Sequence, residues 1–310
     1  MPQPQEVFVD PVLTNISVEY TNPAVNFISE KLFPTMPVNK ETGIYFKYDK
    51  SNLRSQSSRR AGVTRANRVD DSMTEESYGP LKEHSLEYPI TYRVLKQYDN
   101  PLKPREDATR RVTEKLYIEK EKELADMLAD TAIVTQNVTL TGTDQWSDYA
   151  NSDPFNDIQT GIDEIKLNGL VTPNRLVLGY QTWSKLKHHP DLLERVKYSR
   201  LGVLTTELMT DLFDDIQEVV IGSVVENTAA EGLTPSMSYV WGKHAWLAYV
   251  TPDPGLNTVS LGYHLQLENA RMVDRWDEPQ VKTEFVRVND FYEPKLVAEE
   301  AVYLIKNAIA

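Results

Sequence analysis

The chain contains no cysteine. That excludes disulfides, thiolate metal ligation and thiol catalysis. Long apolar runs are missing too, since no stretch approaches the roughly 20 apolar residues of a membrane-spanning helix. The opening, MPQPQEVFVDP, has neither a basic region nor an apolar run behind it, so it does not read as a secretory leader. The expectation is a protein that stays on the cytosolic side of any membrane, where the acceptor patterns at Asn15 and Asn137 carry no glycan. The phosphate-binding glycine loops, the nucleophile elbow and the HExxH zinc signature are also lacking. Histidines number five. The adjacent pair His188-His189 would point about 100° apart on a helix and serves one ion poorly. Followed by Pro190, the pair reads as a helix–helix junction. The acids Asp211, Asp214 and Asp215 lack the glycine turn and spacing of a calcium loop and read as a solvated helix end. Nothing here supports an enzyme, a cofactor or a metal.

What remains is an ordinary folded composition: 310 residues, 40% hydrophobic and 25% charged, with a net charge of −13. The acidic balance argues against general adhesion to nucleic acid, because most of the surface would repel phosphates. It leaves open a protein that encloses DNA without gripping it.

Along the chain, residues 1–38 are rich in proline and short apolar groups. Within them, residues 22–34 read as one short helix, capped by Asn22 and opened by Pro23. The rest reads as extended chain that lies on something else. Residues 42–50 and 85–98 are aromatic and alternating, as strands are, and the second returns beside the first. Residues 104–130 form the strongest helix. Pro104 opens it, Glu106 and Asp107 favour its positive end, and no glycine interrupts it. Ala108, Val112 and Leu116 form a ridge, while Glu119, Lys120, Glu121, Lys122 and Glu123 read as a charged face, wet or against a charged neighbour. After a loop at 142–154 the chain alternates helix and strand. Residues 154–169 are helical with Ile158, Ile162 and Ile165 on one face, 174–179 a buried strand, and 180–196 a helix broken before Pro190. Strands follow at 218–226 and 239–251, and residues 295–310 close the chain as an apolar strand or strand plus short helix. The class is α+β.

The segment between the first two strands, RSQSSRRAGVTRANRVDDS over residues 54–72, is unusual. It carries Arg54, Arg59, Arg60, Arg65 and Arg68, then the acids Asp70, Asp71, Glu75 and Glu76. Nucleic acid is one reading of such arginines, but no aromatic residue interleaves them for base stacking. A disordered surface loop is another. The third is an arm across a neighbouring subunit, where guanidinium forks meet the carboxylates in which this chain is rich. The architecture around the segment favours the third.

The order of parts is a proline-rich arm, a long two-stranded excursion with a charged tip, a long charged helix, a strand–helix unit with TPNRLVLGYQTWSKLKHHPDLLERVKY, and a strand-rich end. It resembles the major capsid proteins of tailed double-stranded DNA phages, with the fold typified by phage HK97. The resemblance implies an N-terminal arm at 1–38 and an extended loop, the E-loop, at 39–92. It implies a peripheral domain at 93–154 around a spine helix at 104–130, an axial domain at 155–268, and a return to the peripheral domain at 269–310. The implied function is a structural subunit of an icosahedral shell, self-assembling into hexamers and pentamers around packaged double-stranded DNA. Partners would be further copies, a separate scaffolding protein, a portal and a decoration protein, with assembly in the host cytoplasm. Some members crosslink an E-loop lysine to a neighbour's asparagine; Lys47 and Lys50 precede the tip here, but nothing identifies the partner. An encapsulin-like compartment shell, which shares the fold, and a nucleic-acid-binding module are the alternatives.

Overall fold

The computed structural model describes residues 21–48, 50–55, 57–59, 62, 65, 68, 70, 72–97, 103–196, 204–252, 259–268 and 271–310. In chain order its strands are β1 (Thr35–Val38), β2 (Gly43–Tyr48), β3 (Met73–Tyr78), β4 (Lys82–Thr91), β5 (Asn137–Thr139), β6 (Arg175–Gly179), β7 (Glu218–Gly222), β8 (Val225–Asn227), β9 (Met237–Tyr239), β10 (Ala245–Ala248), β11 (Gly262–Leu267), β12 (Met272–Glu278), β13 (Thr283–Leu296) and β14 (Val302–Lys306). Its α-helices are α1 (Ser29–Leu32), α2 (Tyr92–Gln97), α3 (Pro104–Ala129), α4 (Pro154–Gly169), α5 (Tyr180–Leu186), α6 (Pro190–Val196) and α7 (Thr206–Leu212).

Two five-stranded sheets organise these elements. In the first, the long β13 is flanked on one side by β11 and β12 in tandem and on the other by β4, with β1 parallel to β11 at the edge. The second runs β5-β14-β10-β6-β7. β2 with β3, and β8 with β9, form separate two-stranded ribbons.

The 26-residue helix α3 joins the two sheets. Its buried positions recur at about one per turn, at Ala108, Val112, Leu116, Leu124 and Leu128. The first half of that stripe meets the first sheet. Ala108 packs on Ile90 and Val286, while Val112 and Leu116 pack on Val288, Leu86 and Tyr88. The second half enters the core of the second sheet with Val177, Trp246 and Leu304. Each such valine or leucine taken from water stabilises by roughly 1.5–3 kcal/mol, so displacing the helix would disturb both cores together. At its start, Arg105 holds the buried carboxylate of Glu284 through two bonds of 2.8 Å, with Arg275 at 3.3 Å. Ile158, Ile162 and Ile165 of α4 cover the opposite face of the second sheet, on Leu176, Leu178 and Leu247.

Several elements differ from the sequence reading. Residues 22–34 are not one helix but a 3-10 turn, Ala24–Asn26, followed by the single turn α1. The break lets Ile28, Leu32 and Phe33 enter the core. Residues 28–38 therefore belong to the body of this chain rather than to an arm lying elsewhere, and residues 1–20 lie outside the described residues. Strand β2 pairs with β3, not with 85–98. The latter stretch splits into β4, paired along its length with β13, and the helix α2, which begins where β4 ends, at the pairing of Thr91 with Thr283 at the start of β13. Pro89 is tolerated there because β4 has β13 on one side only. The expected strand 239–251 is broken at Gly242, whose φ of 55° suits glycine. The closing strand β14 does not return to the first sheet. It lies between β5 and β10, buried from Val302 to Ile305, and a strand covered on both faces reads as a continuous apolar run.

Trp246 is buried and donates its indole N–H to the Leu128 carbonyl at 2.8 Å. Trp246→Ala is expected to lower the unfolding free energy of the unassembled chain by about 3–5 kcal/mol in denaturant titration.

Candidate functional site

The expected contact residues fall around the β2–β3 ribbon. Its register sets Gly43 against Tyr78, Tyr45 against Glu76 and Lys47 against Thr74. The Tyr78 ring covers Gly43 so closely that a Cβ there would come within 2.2 Å of its hydroxyl oxygen, and a larger residue would push that ring aside. The Tyr45 hydroxyl donates to the Glu76 carboxylate. Burial, then that carboxylate, pushes the Tyr45 hydroxyl above the ordinary tyrosine range.

At the far end, Asn52 imitates a backbone pair with Ser72. Its amide donates to the Ser72 carbonyl and its oxygen accepts from the Ser72 N–H, both at 2.9 Å. This clasp closes the neck of the segment between them. Beyond it Arg54, Arg59, Arg65, Arg68 and Asp70 are exposed, and Arg60 and Asp71 lie outside the described residues. Glu75 and Glu76, expected at the tip, lie in β3, with Glu75 exposed and Glu76 half-buried. A ribbon without a core needs no apolar alternation, so Met73–Tyr78 carries almost no strand signal.

The ribbon leaves apolar side chains in water: Ile44, Leu53 and Met73 are each more than half exposed. Its root is tied to its own body. Tyr78 packs with Leu81 against Tyr263 and Leu265, and Lys50 pairs with Glu300 at 2.7 Å. The segment expected to form an arm across a neighbouring subunit, residues 54–72, lies between these ties in the chain.

The charged run on α3, expected to be wet or against a charged neighbour, divides between charged neighbours, solvent and the core. At about 100° per residue, Lys120 and Glu121 turn inward and are buried. Lys120 reaches Glu30 at 3.5 Å, Lys122 pairs with Glu226 at 2.9 Å, Glu123 lies 3.6 Å from Lys82, and exposed Glu119 is 3.9 Å from His84. Glu121 accepts from Ile28 N–H, Ser29 N–H and the Trp241 indole. Burial pushes its carboxyl above the usual carboxylate range, and those hydrogen bonds offset only part of the shift. An acid on the apolar stripe, between Leu116 and Leu124, was the signal that composition obscured.

A second exposed surface lies on the first sheet, on the face turned from α3. Trp276 stacks on Phe285 with ring centroids 5.6 Å apart, Arg287 sits 4.9 Å over the Trp276 ring, and Met272 is exposed at the start of the same strand, β12. Elsewhere His189 is buried against Ser152 at 3.0 Å, and Asp215 pairs with Lys166 at 2.6 Å while Asp211 and Asp214 are exposed. Among the described residues no cluster of three His, Asp or Glu could hold a metal, and no helix is long and apolar enough to cross a membrane.

The family described as phage major capsid protein E matches residues 113–231. The major capsid protein of Burkholderia phage BcepMu is 32% identical over 304 residues, covering 96% of this chain and 95% of that protein. This chain belongs to the phage major capsid protein family. A solved phage-related protein of Bordetella bronchiseptica RB50 is similar at TM-score 0.71 and 29% identity, covering 97% of each chain. The capsid of cyanophage P-SCSP1u has TM-score 0.63 at 9% identity, covering 97% of this chain and 93% of that one, which shows the shared HK97-like fold. The chain is a structural component of a phage virion capsid.

The Lys50–Glu300 pair is predicted to loosen in acid. Burial raises the Glu300 carboxyl, but the Lys50 hydrogen bond, its own backbone N–H and the nearby lysine charges outweigh that and leave it below the ordinary value. A depressed carboxyl contributes stability that is present above its unfolded value and is lost as pH falls through the folded one. Proteolysis within residues 50–72 is therefore expected to accelerate below about pH 4, and Lys50→Ala to accelerate it already at neutral pH.

Proposed function

We propose that this capsid protein assembles into an icosahedral shell of hexamers and pentamers around packaged double-stranded DNA, with the ribbon tip of each copy lying across its neighbour. The observation that carries this reading is the tip itself. Arg54, Arg59, Arg65 and Arg68 stand exposed beyond the Asn52–Ser72 clasp, in a chain of net charge −13. Guanidinium groups form bidentate pairs with carboxylates, and an acidic copy alongside supplies them. Ile44, Leu53 and Met73 would be covered in the same contact, as would the Trp276–Phe285 face of a neighbour. Closed symmetric assembly needs such a contact to repeat in every copy.

In this reading the first sheet with α3 forms the peripheral unit, and the second sheet, with β14, forms the axial unit around the symmetry axes. Residues ahead of the body serve as an arm. Scaffolding, portal and decoration proteins are separate partners, and assembly takes place in the host cytoplasm. The acidic balance keeps enclosed DNA from adhering to the shell. An encapsulin-like cargo shell shares the fold, but the near-full-length likeness to a phage capsid protein at 32% identity favours a virion.

Arg59→Glu combined with Arg60→Glu is expected to leave the unassembled chain folded, with an unchanged circular dichroism spectrum, and to abolish or distort particles in electron micrographs. Particles of normal number and diameter from the double variant would remove the role assigned to the tip.

A further inference from the structure

Where the chain enters the fold, two carboxylates of the long helix grip its main chain. Glu114 accepts from Asn22 N–H at 2.7 Å, and Glu121 accepts from Ile28 and Ser29 N–H, both at 2.9 Å. The two acids are seven residues apart on α3, close to two turns, so they share a face about 10 Å apart along the axis. The segment they hold runs beside them, for the Asn22 side chain also pairs with the Val225 backbone at 3.0 and 3.1 Å.

Between the two grips the strap buries little. Ala24–Asn26 has no buried residue, and Val25 is 81% exposed. A groove of about 540 Å³ lies against it, lined by Phe27 and, from the helix, Arg110, Thr113 and Tyr117. From Ile28 onward the character changes, with Ile28, Leu32 and Phe33 inside the core. Residues Thr21–Phe27 thus hang on hydrogen bonds and on the contact of the Phe27 ring with Tyr117, centroids 5.8 Å apart, and Ile28 is the point where they become fixed.

Glu121 is an expensive way to hold a strap. A buried carboxylate costs several kcal/mol to strip of water, and the neighbouring ammonium of Lys120 is turned to Glu30 instead. An apolar side chain would avoid that cost but leave the Ile28 and Ser29 N–H groups and the Trp241 indole without an acceptor. What the carboxylate adds is register, because two backbone N–H groups and the Trp241 indole at 2.6 Å converge on it from two elements and leave the strap one position.

We infer that Glu114 and Glu121 are positioning residues for assembly, which clamp the strap Thr21–Phe27 to its own subunit and so set the direction in which the N-terminal residues leave the body towards a neighbouring copy. The clamp is a property of the single chain; only its consequence for assembly rests on the shell reading.

Hydrogen exchange of the full-length unassembled chain tests the clamp with Glu121→Gln and Glu114→Gln. Each replaces one acceptor oxygen by a donor facing donors. Glu121→Gln is expected to speed exchange across residues 22–33 about tenfold, the loss of roughly one charged hydrogen bond. Glu114→Gln should do so over 21–27 alone, and in both variants residues 124–128 and 245–248 should exchange as in the wild type. Unchanged exchange at 21–33 in both variants overturns the clamp, as does acceleration spread equally over the core. Electron microscopy of the variants, expressed with the neighbouring phage genes, tests the consequence, and fewer closed particles than wild type are expected. Accelerated exchange with wild-type particle yield would overturn the assembly role while leaving the clamp. Failure of the wild type itself to form particles would count against the shell reading alone.

Discussion

A two-stranded ribbon cannot bury both of its own faces, and this constraint governs the rest of the molecule. β2 and β3 satisfy one another's backbone, but an isolated hairpin is marginal in water. Here it survives because its root is hooked into the first sheet by Tyr78 and Leu81, its flank is pinned by Lys50 to Glu300, and its neck is closed by Asn52. Outward of those anchors Leu53, Arg54, Arg59, Arg65 and Arg68 are exposed, and the proposed function gives them to another chain.

Such a projection is useful only if the body that carries it is stiff. The stiffness comes from α3, whose two halves are committed to different cores, and from buried charge at fixed points along it. Arg105 closes its first turn on Glu284, which is held below the usual carboxylate range by the Arg105 hydrogen bonds and by the charges of Arg105 and Arg275, against the opposing effect of burial. Glu121 ties the entering strap and the Trp241 turn to its centre. Trp246 reaches the Leu128 carbonyl near its end. A bending force applied through ribbon or strap is therefore resisted by both sheets at once.

The parts legible in the sequence were those with a strong period or strong punctuation. The long helix begins at Pro104 as expected, the break before Pro190 separates α5 from α6, and the apolar run at 175–179 is a strand covered on both faces. What escaped has a common cause. β3 is a strand without a core, so Met73–Tyr78 shows acids where alternation is normally sought. The 22–34 segment has helical residues, but tertiary packing of Ile28, Leu32 and Phe33 overrides them. Lys120 and Glu121 looked wet because charge ordinarily is, and only the position of Glu121 on the stripe between Leu116 and Leu124 separates a surface acid from a buried one. At the candidate interface the exposed arginines were legible by composition, while their mounting, a clasped ribbon on a rigid body, required coordinates.

The central claim is that the outer surface and tip of the ribbon complete themselves on an adjacent copy. A single-particle reconstruction of the assembled shell tests it most directly. The account predicts density for residues 53–71 lying on a neighbouring subunit, with Arg54, Arg59, Arg65 or Arg68 within ion-pair distance of that neighbour's carboxylates. A reconstruction in which the segment folds onto its own subunit, or stands in solvent touching no other copy, would contradict it.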